Sequence, residues 1–179
     1  MIYRTHIAFA IAPILIIESV IDVMSVFIEL LFYLSIAIGS IAPDLDEEGS
    51  KLSKVFPLFP IVYDFFAIAH RGVTHQLIFV IFLAGISFNV LHLNNADVVS
   101  NIILYGFSLG YFMHLLGDML TKGGINNFYY PMSNAKGILL PRVLRFYTHS
   151  KEELLFLYFL YFIIFLQVVY RILQWAIDE

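Results

Sequence analysis

Five apolar stretches occupy most of this chain and restrict its fold more than any other feature. They run roughly over residues 7–22, 26–41, 77–91, 98–116 and 154–176. Of the 179 residues, 60% are hydrophobic and 13% are charged, which is more apolar surface than a soluble domain of this length can bury. A membrane-crossing helix needs about 20 mostly apolar residues. The sequence therefore predicts an all-α integral membrane protein with about five transmembrane helices, the first three short and either tilted or partly shielded by neighbours.

The rest of the composition narrows the classes of function. No repeat, low-complexity segment or soluble domain interrupts the pattern, so residues 1–179 are predicted to form a single membrane domain. The first stretch lacks the cleavage site of a signal peptide, and we expect it to stay in the protein. The net charge of −4 argues against a nucleic-acid-binding surface. Because the chain has no cysteine, any metal must be held by imidazole and carboxylate, which suits zinc, manganese or iron.

The basic residues give the predicted helices an orientation. With five spans, the loops around residues 42–76 and 117–153 share one membrane face with the N-terminus (face A), and the two short turns lie on the other (face B). Nine of the ten Lys and Arg residues fall on face A, namely Arg4, Lys51, Lys54, Arg71, Lys122, Lys136, Arg142, Arg145 and Lys151, and Arg171 alone falls on face B. Lys and Arg are enriched in cytoplasmic loops, so face A is predicted to be the cytoplasmic face of the cell (inner) membrane.

Nearly all the residues that can hold a metal ion lie at the face-A ends of these stretches. They are His6, Asp44, Asp46, His70, His75, His114 and Asp118. Polar groups at membrane depth are costly unless they have partners, and a shared ion is such a partner. The sequence therefore predicts a metal site on the cytoplasmic side, formed by face-A loops and helix ends. His92 maps to face B and is excluded from the site.

Two motifs carry the aspartates. In HLLGD, His114 and Asp118 are four residues apart, so both lie on one helix face and can reach one ion, although a helix-terminal His–Asp hydrogen bond is an equal alternative. In APDLDEE, Pro43 ends the second helix. Asp44 is preferred to Asp46 as a ligand because it lies nearer the end of that helix.

HRGVTH is the most specific string in the chain. Gly72 allows a break and Thr74 can cap the third helix. His70 is therefore predicted to approach the ion from the loop and His75 from the first helical turn. Arg71 is a candidate for binding an anionic substrate group, because its guanidinium matches phosphate. A charge that only sets the topology is an equal alternative.

The patterns around the remaining polar residues are less specific. Taken alone, His6 is predicted to be a histidine at the membrane interface. Because it lies at the same predicted depth as the other candidate ligands, we include it in the predicted metal site. Residues 137–146 are predicted to form an amphipathic surface stretch on lipid headgroups, with His149 beyond it as a less favoured ligand. Glu18 and Glu29 lie towards face B, where snorkelling or a shared proton explains them better than an ion path.

The motifs together resemble a known family. In order, a histidine near the start, PDLDEE, HRGVTH, GYFMHLLGDMLTKGG and then Pro131 are similar to the YdjM-type family of membrane-bound metal-dependent hydrolases. The resemblance covers roughly residues 1–140 and rests mainly on HRGVTH and on HLLGDMLT followed by glycine. Residues 153–176 form an additional C-terminal transmembrane helix without a motif. The resemblance implies a membrane-bound metal-dependent hydrolase.

A more distant similarity concerns the ligands. The family resembles the zinc-dependent phospholipase C and single-strand-specific nuclease group, helical phosphoesterases with clustered zinc ions and an HxxxD pair on one helix. By that resemblance the metal ligands are His6, Asp44, His70 or His75, His114 and Asp118. The rest of the three-zinc ligand set has no counterpart, and no amino-terminal ligand is expected because residue 1 is an ordinary Met. We therefore expect one or two ions, with Zn²⁺ first and Mn²⁺ or Fe²⁺ as alternatives.

These expectations lead to one mechanism and two alternatives. A metal-activated water hydrolyses a phosphoester of a lipid-linked substrate, with a phospholipid or lipid phosphate reached laterally from the bilayer. Asp46 acts as general base or orients a ligand imidazole, and Arg71 stabilises charge on the phosphoryl oxygens. A membrane metal-binding or transport protein and a non-catalytic structural membrane protein are the alternatives.

Overall fold

The computed structural model of the chain describes residues 1–18, 25–46, 72–93 and 97–178. These residues form five α-helices and no β-strand: α1 Tyr3–Glu18, α2 Val26–Gly39, α3 Leu77–Leu93, α4 Val98–Met119 and α5 Lys151–Asp178. Three short 3-10 turns cover Ala42–Asp46, Val73–His75 and Arg142–Leu144. The prediction of an all-helical protein is confirmed.

Three of the helical segments are long and apolar enough to cross a membrane. They are Val26–Asp44, Val98–Met119 and Lys151–Ile177, whereas Tyr3–Ile17 and Leu77–Asn89 are apolar but shorter. The second stretch, expected to be short, gains length because the turn after α2 continues it. The first and third stretches are short, as the sequence predicts. The crossing of the bilayer by all five helices stays a prediction.

Helix α4 begins at the predicted residue, Val98, and ends later than predicted. At its start the carboxylate of Asp97 accepts a hydrogen bond from the backbone N–H of Ser100, 3.2 Å away, and so caps the helix. At its other end α4 continues to Met119, beyond the predicted limit at residue 116. The extension keeps Asp118 inside the helix, one turn after His114.

The closest packing in the bundle joins α2 and α4, which run in the same direction. A Cβ atom at Gly110 would overlap the carbonyl oxygen of Ile36, and one at Gly39 would overlap that of Phe107. Only glycine allows two helix backbones to approach so closely. The two helices therefore meet backbone to backbone, and their C-terminal ends lie side by side.

The other helices surround this pair with alternating directions. Ala10 of α1 packs against Ile36 and Met113. Ala8 and Ala12 of the same helix form a second apolar cluster with Leu157 and Leu160 of α5. Helix α3 runs antiparallel to α4, with its Phe79 ring 5.4 Å from that of Tyr111. Helices α1, α3 and α5 thus run one way and α2 and α4 the other. This order brings the start of α1 and the ends of α2 and α4 to one end of the bundle.

The opposite end carries an ion pair that the sequence did not suggest. Glu29 of α2 contacts Arg171 of α5, and both side chains are partly exposed. The sequence predicts that Glu29 either snorkels to the interface or shares a proton with Glu18, whose side chain lies outside the described residues. The partner of Glu29 is the one basic residue predicted for face B.

Residues 137–146 lie after α4 and expose several apolar side chains. Val143 is 89% exposed and Leu144 is 64% exposed. Both belong to the 3-10 turn Arg142–Leu144. The exposure agrees with a surface stretch, and its contact with lipid headgroups stays a prediction.

Candidate metal centre

Five of the six predicted metal ligands meet at the end of the bundle where α1 begins and α4 ends. They are His6, Asp44, His75, His114 and Asp118. The four side chains other than Asp44 are fully buried, and that of Asp44 is 17% exposed. His70, the sixth predicted ligand, lies outside the described residues. The fold therefore brings together residues that are far apart in the sequence. His6 and His114, for example, are separated by 108 positions.

The last turns of α4 supply two of these residues. His114 and Asp118 lie on one face of the helix, with 3.9 Å between the His114 Nε2 and the Asp118 Oδ2. The His114 Nδ1 lies 2.8 Å from the carbonyl oxygen of Ser40. Because a carbonyl can only accept, Nδ1 carries the hydrogen and donates it, so in a neutral ring Nε2 holds the lone pair, directed towards the cluster. The close contact between α2 and α4 thus fixes the orientation of the ring.

Helix α1 adds His6 to form the first group of ligands. Its ring stacks on that of His114, with 3.8 Å between the centroids and an interplanar angle of 9°. The His6 Nε2 lies 3.3 Å from the Asp118 Oδ1. One ligand atom from each of His6, His114 and Asp118 falls within 4.8 Å of the others. The three residues form a compact, fully buried donor set.

The 3-10 turns Ala42–Asp46 and Val73–His75 supply two members of a second group of ligands. Asp44 follows α2 closely, and its Oδ1 lies 3.5 Å from the His114 Nε2 and 3.6 Å from the His75 Nε2. His75 is the last residue of the turn that leads into α3. Its Nδ1 is 3.1 Å from the hydroxyl of Thr74. Asp44, His75 and His114 also bring ligand atoms within 4.8 Å of one another, so His114 belongs to both groups.

The distances suit a metal ion. Zinc binds imidazole nitrogen at about 2.0–2.1 Å, so two donors on one ion lie no more than about 4.2 Å apart. The four donor-to-donor distances from 3.3 to 3.9 Å all satisfy that limit. An imidazole and carboxylate donor set is typical of zinc, manganese and iron sites.

Two of the histidines also have buried atoms that a metal would satisfy. Both ring nitrogens of His6 and the Nε2 of His114 are buried and make no hydrogen bond within the described ranges. Buried polar atoms nearly always have a partner, and each exception requires an explanation such as an ion. A cation bound at Nε2 supplies that partner for each ring.

The structure adds a contact of the amino terminus that sequence reasoning did not predict. The amino group of Met1 lies 2.6 Å from the Asp118 Oδ1, and both groups are buried. The expectation of no amino-terminal metal ligand stays a prediction, since this contact joins the amino group to a carboxylate, but the contact itself was not predicted. The sequence gives no local signal for it, because the two residues are 117 positions apart.

Glu153 is a second residue that sequence reasoning missed. It is 1% exposed, and its two carboxylate oxygens accept hydrogen bonds from the backbone N–H groups of Ile2 and His149, at 2.7 and 2.6 Å. Its own N–H donates to the Ser150 hydroxyl, 3.2 Å away. The S-x-x-E spacing of a capping box could have drawn attention to it. Glu153 holds the start of α1 against the start of α5, next to the amino group that contacts Asp118.

The other predicted site residues are not in the cluster or are not described. His149 is exposed and belongs to neither ligand group. Asp46 ends the turn that carries Asp44, but its side chain is outside the described set, as is the whole of Arg71. Their catalytic roles stay predictions.

Comparisons with known proteins give the family. The family model described as YdjM inner membrane protein matches residues 1–177, so the match extends through the last helix and beyond the residues 1–140 that carry the motifs. No curated protein and no solved structure matches the chain. The five helices and the His/Asp cluster at one end of the bundle are thus features of a member of a membrane-protein family. The chain belongs to the YdjM inner membrane protein family.

Proposed function

We propose that the chain is a membrane-bound metal-dependent hydrolase that acts on a phosphoester of a lipid-linked substrate. Its metal, Zn²⁺ before Mn²⁺ or Fe²⁺, is held by His6, Asp44, His75, His114 and Asp118. The observation that carries the proposal is the pair of three-residue donor groups sharing His114 at one end of an apolar bundle. Structural zinc sites use four protein ligands, whereas catalytic sites use three and keep a position for water or substrate.

The residues of the chain have separate tasks in this reaction. A divalent ion supplies a nucleophile at neutral pH by lowering the pKa of a bound water from 15.7 to about 7. The Ser40 carbonyl holds the His114 ring in the tautomer that presents Nε2. Asp46, next to the ligand Asp44 in the chain, is proposed to accept the proton of the attacking water. Arg71 is proposed to bind the phosphoryl oxygens.

The position of the centre supports a lipid substrate. It lies at the end of the bundle where nine of ten basic residues are predicted, which we propose is the cytoplasmic face. A centre at a helix end lies at the depth of lipid headgroups. A phosphoester in a lipid headgroup can reach it without leaving the bilayer.

Two alternatives are disfavoured by observations on the same structure. A transport protein needs a polar path to face B, but Glu29, its main candidate on that side, is paired with Arg171. A purely structural protein does not require three fully buried imidazoles and a fully buried carboxylate at one point, since such groups are costly without a partner.

Metal analysis of the detergent-purified protein tests the proposal first. We expect stoichiometric zinc, manganese or iron in the parent and none in a variant with His114→Ala and Asp118→Ala. His149→Asn is the matched control, because His149 is exposed and asparagine tolerates its φ of 64°. If the parent binds no metal after purification without chelator and resupply of metals, the hydrolase proposal fails. A metal-bound parent is then assayed for phosphate release from phosphatidic acid.

A further inference from the structure

An apolar cavity lies between α2, α3 and α4, on the bilayer side of the metal centre. Its volume is about 380 Å³, within the range of about 300–1,000 Å³ typical of small-molecule sites. The lining side chains are Phe32, Val80, Leu83, Ala84, Tyr105, Ser108, Leu109, Tyr111 and Phe112. Ser108 is the one aliphatic hydroxyl among them, and it is hydrogen-bonded to Ser87 at 2.9 Å. The lining of the cavity is therefore mostly apolar and suits a hydrocarbon ligand.

The cavity ends next to the metal centre. Tyr111 lines it, and the Tyr111 hydroxyl donates a hydrogen bond to the backbone oxygen of Thr74. Thr74 directly precedes the candidate ligand His75. Tyr111 also lies three residues before His114 on α4, a rise of about 4.5 Å along the helix axis. One tyrosine thus separates the cavity from both ligand groups.

From that point the cavity extends towards the middle of the bundle. Its α4 residues run from Phe112 back to Tyr105, about 10 Å along the helix. Tyr105 is 50% exposed and Phe112 41% exposed, so the cavity opens sideways to the outer surface of α4. Around a membrane helix that surface faces lipid hydrocarbon. Water is a poor occupant because apolar cavities stay dry.

We propose that this cavity binds one acyl chain of a phospholipid whose phosphate reaches the metal centre. The second half of this statement rests on the proposed function, and the first half rests on the cavity alone. The acyl chain enters between α3 and α4 and fills the cavity alongside Ala84 and Leu109. The polar headgroup of the same lipid then lies beyond Tyr111. The cavity then orients the lipid, so that its phosphoester rather than its acyl ester lies near His75 and His114.

Photolabelling of the full-length protein in vesicles tests the acyl-chain site without relying on turnover. The probe is phosphatidic acid with a diazirine in the middle of one acyl chain, and adducts are mapped by mass spectrometry. We expect adducts concentrated on cavity residues such as Val80 and Leu109. Ala84→Phe fills the cavity and should lower these adducts several-fold. Gly85→Phe is the matched control, because a Cβ at Gly85 has no atom within 4 Å.

A second comparison links the cavity to the metal centre. His114→Ala should lower cavity labelling by the phosphatidic acid probe several-fold, and leave labelling by a diazirine diacylglycerol, which lacks the phosphate, unchanged. Equal thermal unfolding of parent and variants in detergent shows that the fold is kept.

Three results have separate meanings. Adducts spread evenly over outward residues such as Phe162, and insensitive to Ala84→Phe, overturn the acyl-chain site. If cavity labelling is the same with and without the phosphate of the probe, and the same in the parent and in His114→Ala, the link to the metal centre is overturned. Phosphate-dependent cavity labelling without phosphate release supports the lipid site and counts against the hydrolase alone.

Discussion

The imidazole rings of His6 and His114 are stacked nearly parallel, with 3.8 Å between their centroids. Two cationic rings at this distance in a buried place would repel strongly, so at least one of the two imidazoles is neutral, the form that binds metal. The stack joins α1 to α4, and it depends on the residue beside it. A Cβ atom at Gly117 would lie 3.2 Å from the His6 Nδ1 and would overlap the end of the Met1 side chain.

Gly117→Ala should therefore weaken metal binding without unfolding the protein. The added methyl group displaces Met1 and pushes the His6 ring away from Asp118. We expect the metal affinity to fall by about 10-fold or more, as for other changes that shift a ligand's support. A metal titration of the purified protein measures this. Gly85→Ala, in open space, is the control, and equal affinities of both variants would contradict the assigned role of Gly117.

Single-ligand variants should report how the two donor groups are used. Asp44→Ala removes a carboxylate from one group, Asp118→Ala from the other, and His114→Ala affects both. We expect His114→Ala to lose all bound metal, while each aspartate variant keeps a weakened site. Metal content per chain, measured by mass spectrometry of the metals, gives the result. Full metal content in His114→Ala would show that the two groups do not share it.

Gly110→Ala should destabilise the whole bundle. Its Cβ would overlap the Ile36 carbonyl oxygen, and neither backbone can move without separating α2 from α4. Overpacking of this kind costs about 1–3 kcal/mol, whereas Gly→Ala in an unobstructed helix stabilises by about 0.5–1 kcal/mol. Thermal unfolding in detergent should thus shift in opposite directions for Gly110→Ala and Gly85→Ala. A rise in Tm for both would refute the close contact.

Glu153→Gln should loosen the start of α1. Glutamine keeps one acceptor oxygen, so one of the N–H groups of Ile2 and His149 faces an amide NH₂ instead. An unsatisfied buried donor costs about 1–3 kcal/mol. Thermal unfolding and protease cleavage near the N-terminus measure the effect. Glu152→Gln is the matched control, since Glu152 is exposed. Equal Tm values and equal cleavage of the two variants would count against a role of Glu153 in holding α1 to α5.

The pair of Glu29 and Arg171 should matter for stability and not for metal. Glu29→Gln removes the carboxylate charge that contacts Arg171, so the Tm should fall. Metal content should stay at the parent level, because the pair lies at the opposite end from His114. The exchange Glu29→Arg with Arg171→Glu should restore part of the loss. A change in metal content would revive the idea of an ion path between the two ends.

Much of the candidate metal centre could be predicted because its residues lie at or near helix ends. The i, i+4 spacing of His114 and Asp118 fixes their common face, and the alternation of apolar stretches brings His6, Asp44 and His75 to the same end. These inferences need only helix geometry and the order of the helices. The predicted end of α4 fell short because hydropathy drops near Gly117, although the helix continues to Met119.

The contacts that depend on tertiary packing could not be predicted in this way. The amino group of Met1 meets Asp118, and Glu153 meets Ile2, across sequence separations of 117 and 151 residues. No periodicity within a single helix encodes such distances. The Glu29–Arg171 pair was missed for the same reason, since its partners lie on α2 and α5. His70, Arg71 and the side chain of Asp46 lie in parts of the chain without a described position, and their roles stay predictions.

The hydrogen bond from Ile2 to Glu153 has a consequence for biosynthesis. A ribosome makes the segment around residue 2 before the segment around residue 153, with α1 to α4 made in between. Until α5 enters the membrane, the start of α1 lacks the carboxylate that holds it, and His6 lacks its final place beside Asp118. The geometry of the candidate metal centre is thus completed only after α5 has been made and has packed against α1.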